Sequence, residues 1–275
     1  MKVIIVGNGP AGNSIASKLD KAGVEVELYS DEAVGFYSRL RLPSALGDIK
    51  KLEALCSKSD PKFLKHFGVI AINKEEKTVL LSSGENSSYD KLVIATGSNA
   101  KCFYTDSGLK GIFTLRTYHD GIQLTKKLSD PVVVLGGGLL GLETALVINN
   151  LGFSVTVVEG GAHVLFRQLD KQSASIITEK CTSRNNFNII CGVFADKVEG
   201  NKNIESIVLK DGTVLPCKTL VIAAGVIPST SLAKNCGLDI DRAIIVDDTC
   251  KTSDDNIYAI GDCAQYNGIC PGLMP

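Results

Sequence analysis

The sequence predicts an α/β fold with two similarly built halves, and three observations carry that reading. First, two short apolar runs, Lys2–Val6 and Val132–Leu135, each lead into a GxGxxG turn and then an apolar pattern at helical spacing. Second, each helical stretch is followed by a strand that ends in acid: Asp31, 24 residues after Gly7, and Glu159, 23 residues after Gly136. Third, Tyr89–Gly97 has a counterpart in Lys218–Gly225. The closing glycines of these stretches, Gly97 and Gly225, are 128 residues apart, against 129 for Gly7 and Gly136. Two landmarks per copy that keep their distance within one residue argue for two Rossmann-like βαβ units rather than one motif and an accident.

In chain order, Gly7-Asn-Gly9-Pro10-Ala11-Gly12 opens the first unit, and Ile15, Ala16 and Leu19 continue it as a helix. Val24–Tyr29 alternates like a strand and ends at Ser30-Asp31-Glu32. A carboxylate at that point suits the ribose hydroxyls of a dinucleotide; Asp31 is the first candidate and Glu32 its rival. Phe36-Tyr-Ser-Arg39-Leu-Arg41-Leu-Pro43 has no counterpart in the second copy. Its arginines suit bidentate phosphate contact, so the stretch is either a clamp on a ligand's phosphates, a wall beside its ring, or a turn with surface arginines. Residues 50–67 read as helix with a break near Pro61. Residues 71–81 and 85–88 read as a hairpin turning at Ser83-Gly84. Thr96 and Gly97 end an apolar strand in small residues, so the chain can pass close to a ligand; Gly225 does the same in the second copy.

Thr114–Asp120 precedes the central strand and is expected to mark a crossing between domains. His119 within it is either an acid or base, or a helix-start residue. In the central motif, Gly136 permits the tight turn, Gly138 lets the backbone approach a pyrophosphate, and Gly141 lets the helix pack close to its strand. The N-terminus of that helix offers free N–H groups to phosphates. A helix to about residue 183 follows, then a hairpin at Asp211-Gly212. Near the end, the Ile257–Ile260 strand runs into Gly261-Asp262, which puts a carboxylate at the carboxyl edge of a parallel sheet, where ligands of such sheets bind.

The bulk numbers exclude several classes. Among 275 residues, 29 basic and 30 acidic side chains nearly cancel, so nothing points to nucleic acid. There is no run of 18 apolar residues and no signal-peptide pattern, so neither a membrane nor an export route is expected and the location is read as cytoplasmic. Nine scattered cysteines form no CxxC pair, which disfavours a metal site and a local dithiol and reads as reduced, mostly buried thiols.

Together, Gly7–Gly12, Tyr89–Ser98, Gly136–Glu143 and Ile257–Asp262 resemble the two-dinucleotide-fold flavoproteins, the pyridine nucleotide-disulfide oxidoreductase-fold family. Within it, Tyr37–Leu42, Arg167–Asp170 and Tyr266–Leu273 are most similar to NADH:rubredoxin reductases and the flavin module of nitrite reductases. The resemblance implies an FAD domain (residues 1–117 and 246–275) of three-layer ββα type with the NAD domain (118–245) inserted into it. It places Gly7, Gly9, Pro10, Ala11 and Gly12 under the FAD pyrophosphate, Asp31 on its ribose, Thr96 and Gly97 near the FAD, and Gly261 and Asp262 at its ribityl chain. It puts Gly136, Gly138, Leu140 and Gly141 at NAD and Glu143 at the nicotinamide end. Glu159 followed by two glycines, with no adjacent arginine, favours NADH over NADPH, because a carboxylate repels a 2′-phosphate.

The implied activity is FAD-dependent NADH oxidation. Hydride passes to FAD and electrons go on to rubredoxin, an iron–sulfur centre, a nitrite-reductase partner or a small-molecule acceptor. NADH oxidase chemistry on dioxygen and a non-catalytic redox sensor are the rival readings. Two departures stand out. No cysteine lies in the stretch before Leu42-Pro43, where some members carry one, so electrons are expected to leave through the flavin itself. The chain also stops before the C-terminal domain usual in the family, so a truncated product, or weak or absent FAD binding, is an expectation too.

Overall fold

The computed structural model describes residues 1–104 and 107–270; Pro271–Leu273, part of the closing resemblance, lie outside them. The chain forms two compact units. One comprises residues 1–38, 56–99 and 226–270; the other comprises residues 39–55, 100–104 and 107–225. The boundaries at 117 and 246 drawn from sequence therefore differ from this division, and residues 39–55 belong with the second unit.

In the first unit, strands Lys2–Val6, Glu25–Tyr29, Leu64–Lys65, Lys91–Ile94 and Ile257–Ala259 form a parallel sheet in which Lys2–Val6 is central. Alternation along the central strand feeds two cores. Ile4 and Val6 face a cluster with Leu92, Ile94, Ile257, Ile72, Val79 and Leu81, the last three from an antiparallel sheet. Val3 and Ile5 face the other way, against Ala16 of the helix Pro10–Lys21 and Leu28. That is the period-two rule of a strand covered on both faces. The layers are antiparallel sheet, parallel sheet and helix, as expected for a ββα unit.

The second unit repeats this plan. Strands Phe187–Cys191, Val155–Glu159, Val132–Leu135, Thr219–Ile222 and Ile112–Thr114 form its parallel sheet in that order. A three-stranded antiparallel sheet supplies Ile204, Ile207 and Leu209 to a core with Val133, Leu135, Leu220 and Ile222. The hairpin turn at Gly212 has φ +89°. Helix Tyr118–Lys127 opens with a reciprocal cap between Thr117 and Asp120, and His119 sits exposed in its first turn.

Two local expectations need correction. The hairpin turning at Ser83-Gly84 is present, Thr78–Leu81 against Asn86–Ser88, but the stretch 71–81 is not one strand of it: Val69–Asn73 pairs with Thr78–Leu81 through a further turn at Lys77, φ +51°, without a glycine. The expected helix over 50–67 is confined to Ile49–Leu55. Leu64-Lys65 instead pairs as an edge strand with Leu28-Tyr29.

Each helix comes close to its strand only because side chains are missing. A Cβ on Gly141 would collide with the Gly136 carbonyl oxygen, and one on Gly12 with the Gly7 carbonyl oxygen. Gly141→Ala should therefore destabilise the second unit by roughly 1–3 kcal/mol or more. A thermal melt of that variant matching the parent would show that the helix can move away without cost.

Candidate nucleotide-binding sites

The two glycine turns have the same geometry. Gly7 and Gly136 both sit at φ +110°. Gly9 and Gly138 are N-caps at φ −76°, ψ −178° and φ −77°, ψ −176°. Gly7 N–H donates to Tyr29 O and Gly136 N–H to Val158 O, both at 2.8 Å. Any side chain on Gly136 would be strained and would lie 2.5 Å from Ala223 O; on Gly7 it would meet Ala95 O in the same way. A Cβ on Gly9 or Gly138, in contrast, would meet no atom within 4 Å. These two glycines line the open side of each turn. The first intrahelical bonds run from Asn13 N–H to Gly9 O and from Leu142 N–H to Gly138 O. The N–H groups before them have no acceptor within the helix and suit an anion there. Pro10, which has no N–H to satisfy, starts the first helix, whereas Leu139 and Leu140 start the second.

In the second unit the acid is locked in place. Glu159 Oε2 accepts from Gly137 N–H and Oε1 from Gly161 N–H, both at 2.6 Å. At Gly137, the variable position of the motif, a Cβ would be crowded, 3.0 Å from Glu159 Cβ and 3.2 Å from Val164. Leu165 N–H closes the loop onto Gly137 O at 2.8 Å. The third glycine of Gly136-Gly137-Gly138 was the available signal. Glu143 is exposed on the helix Leu139–Asn150.

The first unit differs. By strand register, the counterpart of Glu159 is Ser30, since Tyr29 and Val158 are the matched acceptors. Its acids come one and two residues later. Asp31 is exposed. Glu32 accepts from the Tyr37 hydroxyl at 2.5 Å, and its N–H is held by Ser30 Oγ. At the sheet's carboxyl edge, Ser98 Oγ donates to Asp262 Oδ2 at 2.6 Å, and Thr96 Oγ1 to Ser229 O at 2.7 Å. Gly261 takes φ +78° and Gly97 φ +69°, as a turn at a strand end needs. Ser98 gives Asp262 an orientation that the motif alone did not reveal. Arg39 Nη1 donates to Arg116 O at 2.8 Å within the second unit. Arg41 lines a small cavity of about 180 Å³ with Ser44, Lys51 and Leu55. The structure therefore places both arginines in the unit that does not hold Gly7–Gly12.

Thiol chemistry finds little support here. All nine cysteines are free, four of them buried. Burial pushes the Cys263 thiol up, beside Asp262, and the Cys217 thiol up to about 12. Burial, then the Glu159 charge, raises Cys191. Such thiols stay protonated and are poor nucleophiles. Among the described residues no cluster of His, Cys, Asp or Glu could hold a metal, and no helix is long and apolar enough to cross a membrane.

The comparisons with known proteins bear on the family and the fold. The family model for pyridine nucleotide-disulphide oxidoreductases matches residues 1–271. The chain belongs to that family. It is 31% identical to a rubredoxin-NAD(+) reductase of Pseudomonas putida, over 100% of this chain and 74% of that protein. It is also 31% identical to the assimilatory nitrate reductase electron transfer subunit of Bacillus subtilis, covering 99% of this chain but 37% of the larger one. The crystal structure of a ferredoxin reductase from Rhodopseudomonas palustris superposes with a TM-score of 0.89 at 30% identity, over 99% of this chain and 70% of that one. The chain is thus a member of an oxidoreductase family whose proteins bind FAD and NAD(P)H, and it spans about a third to three quarters of the relatives' lengths.

Two outcomes follow from the geometry. Gly138→Ala places a methyl group where only a ligand would meet it. Stability without nucleotide should change by no more than about 1 kcal/mol, while NAD(P)H affinity falls more than about tenfold. Calorimetric titration beside a thermal melt checks both. The second outcome concerns His66, whose Nδ1 faces Glu32 O at 2.8 Å and whose Nε2 faces Asp60 Oδ2 at 2.7 Å. The Asp60 hydrogen bond, then the Glu32 carbonyl, holds its pKa above 6.5. A raised folded pKa means the stabilisation is present below the unfolded value and is lost as pH rises through the folded one. His66→Gln should therefore lower the melting temperature near about pH 6 and have no effect at about pH 9; an equal effect at both would contradict the assignment.

Proposed function

We propose that this chain is an FAD-dependent NADH oxidoreductase, with FAD at the Gly7–Gly12 turn and NADH at the Gly136–Gly141 turn. The observation that carries this is the duplicated turn, open to ligand at Gly9 and Gly138 and closed by backbone at Gly7, Gly12, Gly136 and Gly141. Gly9, Pro10, Ala11 and Gly12 present the helix start to the FAD pyrophosphate. Asp31 or Glu32 takes the adenosine ribose, and Asp262, held by Ser98, takes the ribityl hydroxyls. Thr96 and Gly97 keep the backbone near the flavin side chain-poor. Arg39 and Arg41 are retained as candidates for contact with the cofactor or with an acidic partner.

In the second unit, Gly136, Gly138, Leu140 and Gly141 cradle the pyrophosphate of NADH and Gly225 passes close to it. Glu159 accepts from both ribose hydroxyls. Its two backbone donors fix the carboxylate against the turn, so a 2′-phosphate would meet a charge that cannot swing away; this favours NADH over NADPH. Glu143 lies toward the nicotinamide. Bound FAD supplies the two-electron and one-electron chemistry that no side chain here can. The protein's own part is to hold each nucleotide by backbone groups and carboxylates and to keep Cys191, Cys217 and Cys263 protonated. The relatives named for rubredoxin and ferredoxin reduction support a small iron-centred protein as acceptor.

The test is a visible spectrum of the 275-residue protein reconstituted with FAD, before and after anaerobic NADH. Flavin absorbance that bleaches on NADH, with little oxygen uptake until an iron-centred acceptor is added, is the expected result. Rapid oxygen consumption without an acceptor would reassign it as an oxidase. NADH binding with no bleaching would make it a binder.

A further inference from the structure

The loop after the edge strand Phe187–Cys191 carries a large aromatic ring in an unusual place. Phe194 is 63% exposed, yet its ring is seated. It fills the space above Gly160, where a Cβ would lie 2.6 Å from both Cδ1 and Cζ and closer still to Cε1. The backbone around it is fixed too. Lys210 N–H donates to Phe194 O at 2.9 Å, and Gly192 N–H donates to Gly161 O at 2.8 Å, tying this loop to the one that follows Glu159. The Lys210 ammonium stands 6.0 Å from the ring centroid. Gly160 therefore has two neighbours of consequence: Glu159 in the chain and Phe194 in space.

The part of the Phe194 ring not seated on Gly160 is open to solvent and available to a planar ligand. The nearest functional group decides which ligand that is. A dinucleotide whose adenosine ribose is held by Glu159 carries its base on the same sugar, one glycosidic bond away. Bases stack on aromatic faces, and a stacked ring also shields the base from water.

We propose that Phe194 is the platform on which the adenine base of NADH stacks, and that Gly160 is glycine so that the ring can lie beside Glu159. This rests on the reading of Glu159 as the ribose acceptor. It also accounts for a residue that the GxGxxG motif leaves unspecified. Lys210 holds the loop through its backbone and puts a cation at the ring. The sequence reading around Glu159 did not include it.

The experiment compares three probes on the full chain: NADH, ADP-ribose, and reduced nicotinamide mononucleotide, which lacks the adenosine half. Phe194→Ala should weaken NADH and ADP-ribose roughly 5- to 150-fold and leave the mononucleotide unchanged, whereas Phe194→Tyr should bind as the parent does. Gly160→Val, which displaces the ring while keeping it in the chain, should reproduce the loss. Thermal melts of the variants keep binding loss apart from unfolding. If the parent binds NADH and ADP-ribose but Phe194→Ala binds them equally well, or loses the mononucleotide to the same extent, the platform is wrong and the Glu159 reading stands. If the parent binds ADP-ribose and Glu159→Ala does not weaken it, the ribose reading fails and the platform falls with it.

Discussion

A helix and a strand cannot run at contact distance if side chains stand between them, and in this protein that constraint is met twice by the same means. At Gly12 and Gly141 a carbonyl of the preceding turn fills the space a Cβ would need. At Gly7 and Gly136 the backbone turns through φ +110°, which only glycine adopts without strain. With those contacts made, the helix start is held over the sheet's carboxyl edge, and the strands Glu25–Tyr29 and Val155–Glu159 end beside it. The acids, the open glycines and the loops that carry Asp262 and Phe194 take their places from that junction. The function proposed here therefore depends first on absent atoms, and only then on charged ones.

What was legible in the sequence was what is local. A strand, a tight turn and a helix follow one another within about two dozen residues, and each leaves its own period in the chain. The hairpin at Asp211-Gly212 was legible for the same reason. The turn near Lys77 was not, because a lysine occupies a conformation that usually announces itself as glycine. The edge strand Leu64-Lys65 was hidden because two residues carry no period. Residues that act across the fold were also hidden: Ser98 finds Asp262 across 164 positions, and Phe194 finds Gly160 only through the pairing of their strands. The assignment of Arg39 and Arg41 suffered likewise. They belong to the segment 39–55, which packs with the second unit, and the partner of Arg39, Arg116, lies 77 positions along the chain.

The two copies differ within the turn, Asn8, Pro10 and Ala11 against Gly137, Leu139 and Leu140, yet keep its geometry. Dihedrals at the capping glycines agree within a few degrees. Beyond the strand end they part. The second copy places its carboxylate at the register position itself and fixes it with two N–H groups. The first puts Ser30 there and ties its later acid to Tyr37 and, through the backbone, to His66.

The short helix Leu42–Ala45 and its continuation Ile49–Leu55 lie early in the chain, yet they pack against Tyr118–Lys127 and Leu139–Asn150, and Gly47 has Leu151 seated on it. During synthesis Leu42, Leu46 and Leu52 leave the ribosome long before the helices that cover them exist. This segment must wait, apolar and uncovered, while much of its future shelter is still being translated. The first parallel sheet waits as well, for Ile257–Ala259 at the other end of the chain. Folding here cannot proceed unit by unit in the order of synthesis. A newly made chain spends its early life dependent on whatever keeps exposed leucines from finding one another.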